Sequence, residues 1–400
     1  MKRFSIILLG ALAIFMASCS KDIAPVPSPD PDAWMYDETL PVPIRFGASS
    51  QPLTKGEAIE GPADMAGKDF GFFAFHDAMT SWGSTTGNTF VDNGISGWSQ
   101  NMIGECVVSG DKVQFDFDGG PYYYPQISTD NYTFYGYHAR TTEVRPSTNS
   151  IDVVVEIGHE DILWGKAEAE EFTLGEGVNA VTYEGFNARY IRKSTEEDLD
   201  ADGNPDGTAR HPFMEFKHLT SRLSISAKTE KSQYAENNAG KDQVTITKVS
   251  VLNTDVKANL RVAHRTDATA EAVFSKRAHD GKGNIDSGNI SVLLTETSQS
   301  LCDDFFILPE GENSKVTLQI DFTVDSGEGK TYTTSSVYTL DPEIKADGEL
   351  KGKHGFFPGL HYKYNFIVYT PERVVIEATV LDYVSAFGDG ETEDVYPDNE

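Results

Sequence analysis

An all-β fold, built as two tandem β-sandwich domains, is the class this 400-residue sequence predicts. Three observations carry that reading. Apolar residues recur with period two in many short runs. Clusters of Gly, Asn, Asp and Pro separate the runs. No segment sustains a long 3.6-residue period, and the helix-forming stretch Lys166–Glu171 is short and has no apolar face.

In chain order, the first element is an address label. Lys2 and Arg3 precede an apolar run from Phe4 to Met16, and small residues lead into Cys19. That run is too short to span a bilayer, which needs roughly 20 residues, so residues 1–18 read as a signal peptide. Because it ends at a cysteine, it resembles a bacterial lipoprotein lipobox, with cleavage before Cys19 and lipid on its thiol. The expected location is an outer-membrane lipoprotein at the cell surface, held by acyl chains. Residues 19–40, with Pro25, Pro27, Pro29 and Pro31, read as a Pro-rich tether. Lys21-Asp22 also resembles the export tag of surface lipoproteins in Bacteroidetes.

Residues 41–208 read as an aromatic-rich N-terminal β-sandwich with an acidic loop at 194–208. Residues 209–387 read as the C-terminal β-sandwich. The clearest strands lie in the second block. Val316, Leu318, Ile320, Phe322 and Val324 share one face. Tyr362, Tyr364, Phe366 and Val368 do the same, Arg222–Lys228 alternates again, and Val374–Leu381 has one apolar face. Val244–Val251 changes phase near Lys248, the mark of a bulge or of two short strands. Residues 388–400 form an acidic tail.

Charge narrows the function. Against 62 acidic residues stand 33 basic ones, a net charge of −29. Such a chain repels nucleic acid and anionic headgroups and attracts divalent cations. Cys106 and Cys302 are far apart in sequence and read as free thiols rather than a bridge. The sequence has no G-x-S-x-G, no H-E-x-x-H and no phosphate-cradling loop, so no enzyme is expected. Two histidine pairs, His211 with His218 and His354 with His361, are seven residues apart and face opposite sides of a strand.

One cluster stands above this background. Asp198-Leu-Asp-Ala-Asp-Gly-Asn-Pro-Asp206 spaces carboxylates to curl around a hard cation, with glycine at the sharp turn. Its twelfth position is Ala209 rather than Glu, so it is a free-standing loop and not an EF-hand. The candidate calcium ligands are Asp198, Asp200, Asp202 and Asp206 by side chain and Asn204 by its carbonyl; the bland alternative is a solvated acidic turn. No cofactor is otherwise required. Trp82, Trp98, Trp164 and Tyr122–Tyr124 are alternative stacking platforms for sugars, weighed against ordinary core packing.

Several strings, in order, resemble the Bacteroidales fimbrillin family. They are Pro43-Ile-Arg-Phe46 with Thr54-Lys55, Pro121-Tyr-Tyr-Tyr-Pro-Gln, Tyr132-Thr-Phe-Tyr-Gly-Tyr-His138, Asp161-Ile-Leu-Trp164, Phe216-Lys-His-Leu-Thr-Ser-Arg-Leu223, Leu308-Pro309 and Phe357-Pro-Gly-Leu-His-Tyr-Lys-Tyr364. The resemblance implies transthyretin-like sandwiches, a lipidated precursor and a structural or adhesive subunit of a type V pilus. It also implies assembly by protease-triggered strand exchange, with other pilus subunits and a host or bacterial surface ligand as partners. The removable strand is expected near residues 42–48, with Ile44 and Phe46 buried and Arg45 facing solvent. Arg45 and Lys55 are the candidate processing sites; Lys55 stands where the family has arginine, and Tyr383 where it usually has tryptophan. The rival reading is a surface glycan-binding lipoprotein with β-sandwich domains.

Overall fold

The computed structural model describes residues 33–35, 37–50, 62–76, 102–109, 112–118, 120–125, 131–147, 149–196, 209–229, 243–264, 273–275, 281–325, 329–345, 349–370 and 373–382. The chain divides between Leu40 and Pro41. In the first unit Ala33–Met35 form one 3₁₀ turn, and the Asp37 N–H beyond it donates to the Ala33 carbonyl at 3.0 Å. Residues 41–400 form the second unit.

That second unit is almost wholly β. Its elements begin β1 (Gly47–Ser50), α1 (Pro62–Met65), β2 (Asp69–His76), β3 (Met102–Ser109), β4 (Lys112–Phe117), β5 (Tyr132–His138), β6 (Val144–Pro146), β7 (Ser150–Glu156) and β8 (Leu163–Ala167). The short β9 (Phe172–Leu174), β10 (Val181–Tyr183) and α2 (Ala188–Ser194) follow, then β11 (Phe213–His218). The remainder is β12 (Ser221–Thr229), β13 (Gln243–Asp255), β14 (Lys257–His264), β15 (Val273–Ser275), β16 (Lys282–Asp286), β17 (Val292–Leu293), β18 (Gln299–Ile307), β19 (Gly311–Glu312), β20 (Val316–Asp325), β21 (Thr331–Leu340), β22 (Gly355–Phe356), β23 (Leu360–Thr370) and β24 (Arg373–Asp382). No helix among the described residues is long and apolar enough to cross a membrane.

The first half wraps one sheet into a closed barrel, in the order β1-β11-β8-β5-β2-β3-β4 and back to β1. Strand β2 explains why a barrel forms here. Its sequence DFGFFAFH is buried on both faces. Phe70 and Phe72 meet the barrel's interior rings, while Phe73 and Phe75 join Tyr135, Tyr137 and Trp164 in the larger core outside it. A strand buried on both faces needs a second layer. The sheet β15-β14-β7-β6 supplies it, through Ile151, Val153, Leu260 and Val262. The interior is so full of rings that Gly136 cannot carry a side chain: a Cβ there would sit 2.6 Å from Met214 Sδ and 3.1 Å from the Phe72 ring.

The second half is a sandwich of two sheets, β18-β12-β23-β24 and β16-β13-β20-β21. Its core holds Leu223 and Ile225 from one sheet and Leu318, Ile320, Phe322 and Val324 from the other. The phase change expected near Lys248 is a register shift between Ile246 and Lys248 where β13 pairs with β20.

Three strand pairings among the described residues cross the expected boundary at residue 208: β11 with β1, β11 with β8, and β14 with β7. Strand β11 completes the barrel, and β14 pairs with β7 across about a hundred residues of sequence. A buried strand edge must find hydrogen-bond partners, whichever sequence block supplies them. Both Cys106 and Cys302 are free thiols. Burial pushes Cys106 up to about 11 and Cys302 up to about 12.

Candidate assembly groove

The segment from Val42 to Ser50 closes the barrel. Its odd and even positions have opposite fates: Val42, Ile44 and Phe46 are buried, whereas Arg45 is exposed. Extended backbone sends alternate side chains to opposite faces, so two intervening residues, Pro43 and Arg45, stay outside the apolar row.

Two partners hold this segment. On one side the aromatic run Tyr122–Tyr124 pairs with it: Ile44 N–H donates to the Tyr122 carbonyl at 2.8 Å, and Tyr124 N–H donates to the Val42 carbonyl at 3.0 Å. Further along, β1 runs parallel to β11, with Gly47 opposite Phe213 and Ser50 opposite Phe216, and antiparallel to β4, with Ala48 opposite Val113. The Gly47 N–H also reaches the Pro212 carbonyl at 3.0 Å.

Phe46 is the anchor. Its ring centroid lies 5.0 Å from Phe72, 5.0 Å from Phe134 and 5.4 Å from Phe117. Such offset and edge-on pairs add to the burial itself. Behind them Tyr122 is buried against Phe117 and donates its hydroxyl to the Asp118 carbonyl at 2.9 Å. Tyr124 is fully buried, and that burial, then the neighbouring Tyr190 and Tyr132, pushes its phenol well above the usual range. Burying Val42, Ile44 and Phe46 contributes roughly 5–9 kcal/mol as an upper bound.

The same geometry bears on the aromatic platforms. Tyr122 and Tyr124 are seats for the closing segment, and Trp164 is buried with its indole N–H on the Val262 carbonyl at 2.8 Å. None of these three rings can stack on a sugar from solvent. Trp82 and Trp98 lie outside the described residues, as do Cys19, Lys55, Tyr383, and the loop residues Asp198, Asp200, Asp202, Asn204 and Asp206. Among the described residues, no three His, Cys, Asp or Glu side chains gather into a metal site.

Sequence reasoning found Ile44, Arg45 and Phe46 but not their partners. No local pattern signals that the backbone of residues 122–124 pairs with residues 42–44. The parallel pairing of β1 with β11 joins residues about 165 apart, and no local pattern signals it.

The family model described as fimbrillin-like matches residues 74–382. No curated protein matches. Among solved structures, a candidate cell adhesion protein from Bacteroides uniformis is 15% identical, with 85% of this chain and 98% of that chain covered and a TM-score of 0.42. A fimbrial assembly protein from Parabacteroides distasonis is 9% identical, covering 90% and 99%, with a TM-score of 0.37. The fimbrial anchor protein Mfa2 from Porphyromonas gingivalis is 10% identical, covering 85% and 97%, with a TM-score of 0.27.

Proposed function

Because this chain belongs to the fimbrillin-like family, we propose that it is a type V pilus subunit whose closing segment is a temporary plug. Family membership makes it a pilus or adhesion subunit of the cell surface. The finer reading is that a protease frees residues 42–50, and that a strand from a neighbouring subunit then takes their place. One observation carries it: the segment is held between β4 and β11 by backbone pairing and by three buried side chains. Its departure leaves two strand edges beside a phenylalanine-lined slot. An extended strand of any origin can supply the same backbone hydrogen bonds and alternate apolar side chains.

The geometry around Arg45 bears on which of the two proposed processing sites is used. Arg45 is exposed, yet Ile44 and Phe46 on either side are buried, and the Ile44 and Gly47 N–H groups are bonded to the barrel. A protease that grips several extended residues cannot engage Arg45 without lifting the strand. Cutting at Arg45 would also leave Phe46 in its seat. Cleavage at Lys55 frees the whole segment, so Lys55 is the better site by this argument.

The test treats the precursor with arginine- and lysine-specific proteases and follows assembly as SDS-resistant ladders. Lys55→Ala should block both cleavage and ladder formation, whereas Arg45→Ala should block neither. Ladders from uncut protein would remove the plug from the account. Lipidation at Cys19 belongs to the same proposal: Cys19→Ala should abolish acyl labelling and release the chain from membranes. Calcium in the Asp198–Asp206 loop is a separate proposal. Millimolar calcium should protect that loop from proteolysis, and Asp200→Ala with Asp202→Ala should abolish the protection.

A further inference from the structure

The two halves meet at a six-residue loop, residues 157–162, which follows β7. Its backbone contacts reach each neighbouring part of the seam. Ile157 N–H donates to the Val256 carbonyl at 2.9 Å, where β13 of the second half passes to β14 of the first. The Gly158 carbonyl accepts the Phe306 N–H of β18 at 2.8 Å. The Ile162 carbonyl accepts the Leu219 N–H at 2.8 Å, between β11 and β12. Gly158 holds φ at +149°, a region other residues rarely adopt, and a Cβ there would press on Ile285 at 3.3 Å.

At the centre of this loop stands a buried carboxylate. Asp161 is 1% exposed. Its Oδ2 accepts from His218 Nδ1 at 2.6 Å, and its Oδ1 accepts from the Thr220 hydroxyl at 3.0 Å. His218 ends β11 and Thr220 precedes β12, so one side chain grips the chain on both sides of the crossing. A second histidine, His138 at the end of β5, lies close by. Its Nδ1 lies 2.8 Å from the Asp69 carbonyl and its Nε2 lies 3.2 Å from Glu160. Lys68 acts on Glu160 from the β2 side, and Arg140 is paired with the Asp69 carboxylate at 2.8 Å.

A buried carboxylate is expensive unless it is fully bonded. The apolar core already runs through the seam, so burial alone would have been satisfied by a leucine. Leucine has no directional contacts, and packing tolerates small sliding that hydrogen bonds do not. We propose that Asp161 is the clamp that fixes the angle between the barrel and the second sandwich, through His218 and Thr220. The inference does not draw on the proposed assembly route.

The clamp has a pH signature. Burial by itself would raise the Asp161 carboxyl; the His218 ring, with hydrogen bonds from His218 and Thr220, outweighs it and holds the group below the usual carboxylate range. The imidazole Nδ1 carries a proton in the charged form and in one neutral tautomer, so the contact does not require an imidazolium. The proton event that breaks it is therefore on Asp161. A carboxyl lowered in the folded state contributes stability above its unfolded pKa of about 3.9 and loses it as pH falls through the folded value. The clamp holds at mildly acidic pH and fails only below the ordinary carboxylate range.

Hydrogen exchange tests this, because the Leu219 and Phe306 amides report the seam directly. In the full chain, Asp161→Asn should speed their exchange at least tenfold and leave the amides of β2 and β20 within about twofold. Wild-type protection at those two amides, corrected for intrinsic rates, should drop as pH falls below about 4, and Asp161→Asn should lack that step. Should the Asn variant fail to accumulate, Thr220→Val removes one of the two contacts and should give a smaller rise at the same amides. An equal rise across β2 and β20 would reduce Asp161 to a general stabiliser. No change at Leu219 and Phe306, or an acid step that persists in Asp161→Asn, would overturn the clamp.

Discussion

The closing segment and the interdomain loop are both short and both bonded through their backbones, but the side chains that single them out hold by opposite means. Residues 42–50 are held by three apolar side chains and strand pairing. Residues 157–162 are held by a carboxylate with two named donors. Apolar contact depends on shape and area, so another strand with similar side chains can replace it. A hydrogen-bonded charge depends on direction, and removing either partner leaves the other stranded. The difference teaches where exchange is affordable in this fold and where it is not.

The largest expected effect falls on the apolar side. Phe46→Ala should destabilise the barrel by about 3–5 kcal/mol, read as a lower urea midpoint and faster exchange in residues 42–50. Phe46→Leu keeps most of the buried volume and should recover more than half of that loss. If it recovers none, ring geometry rather than area holds the segment, and the contrast with the polar loop weakens.

Overfilling the same slot should cost less. Gly136→Ala places a methyl group 2.6 Å from Met214 Sδ and against the Phe72 and Phe216 rings. The expected loss is about 1–3 kcal/mol, measurable by thermal unfolding. Paired with Met214→Ala, part of it should return, because the obstructing sulfur is gone. Full additivity of the two changes would mean that the barrel interior yields elsewhere.

The smallest effect belongs to Arg45→Ala. An exposed position of this kind should shift stability by less than about 0.5 kcal/mol. A larger loss would show that the outward face of the segment also contributes to closure.

Much of the fold was legible because the period-two rule is local. Ile44 and Phe46, the row Val316 to Val324, and the slip near Lys248 each needed no more than a few neighbours in sequence. What stayed hidden was long-range. His218 and Thr220 lie 57 and 59 residues from Asp161, and nothing local joins the two strings. Strand β14 reads like any other half-buried strand, and its choice of β7 is a matter of three-dimensional layering. Helix α2 was missed because seven residues cannot display a hydrophobic stripe. Its one local signal is Asn187, whose side chain accepts the Tyr190 N–H at 2.8 Å as an N-cap.

The two free thiols have a practical consequence. With Cys106 pushed up to about 11 and Cys302 up to about 12, fewer than about one molecule in a thousand carries a thiolate near neutral pH. Maleimide reagents should therefore pass over both in the folded protein. In the Cys19→Ala chain, a cysteine placed at the exposed Arg45 position would be the fast-reacting group, and a fluorophore there would watch the barrel open in real time with Cys106 and Cys302 left in place.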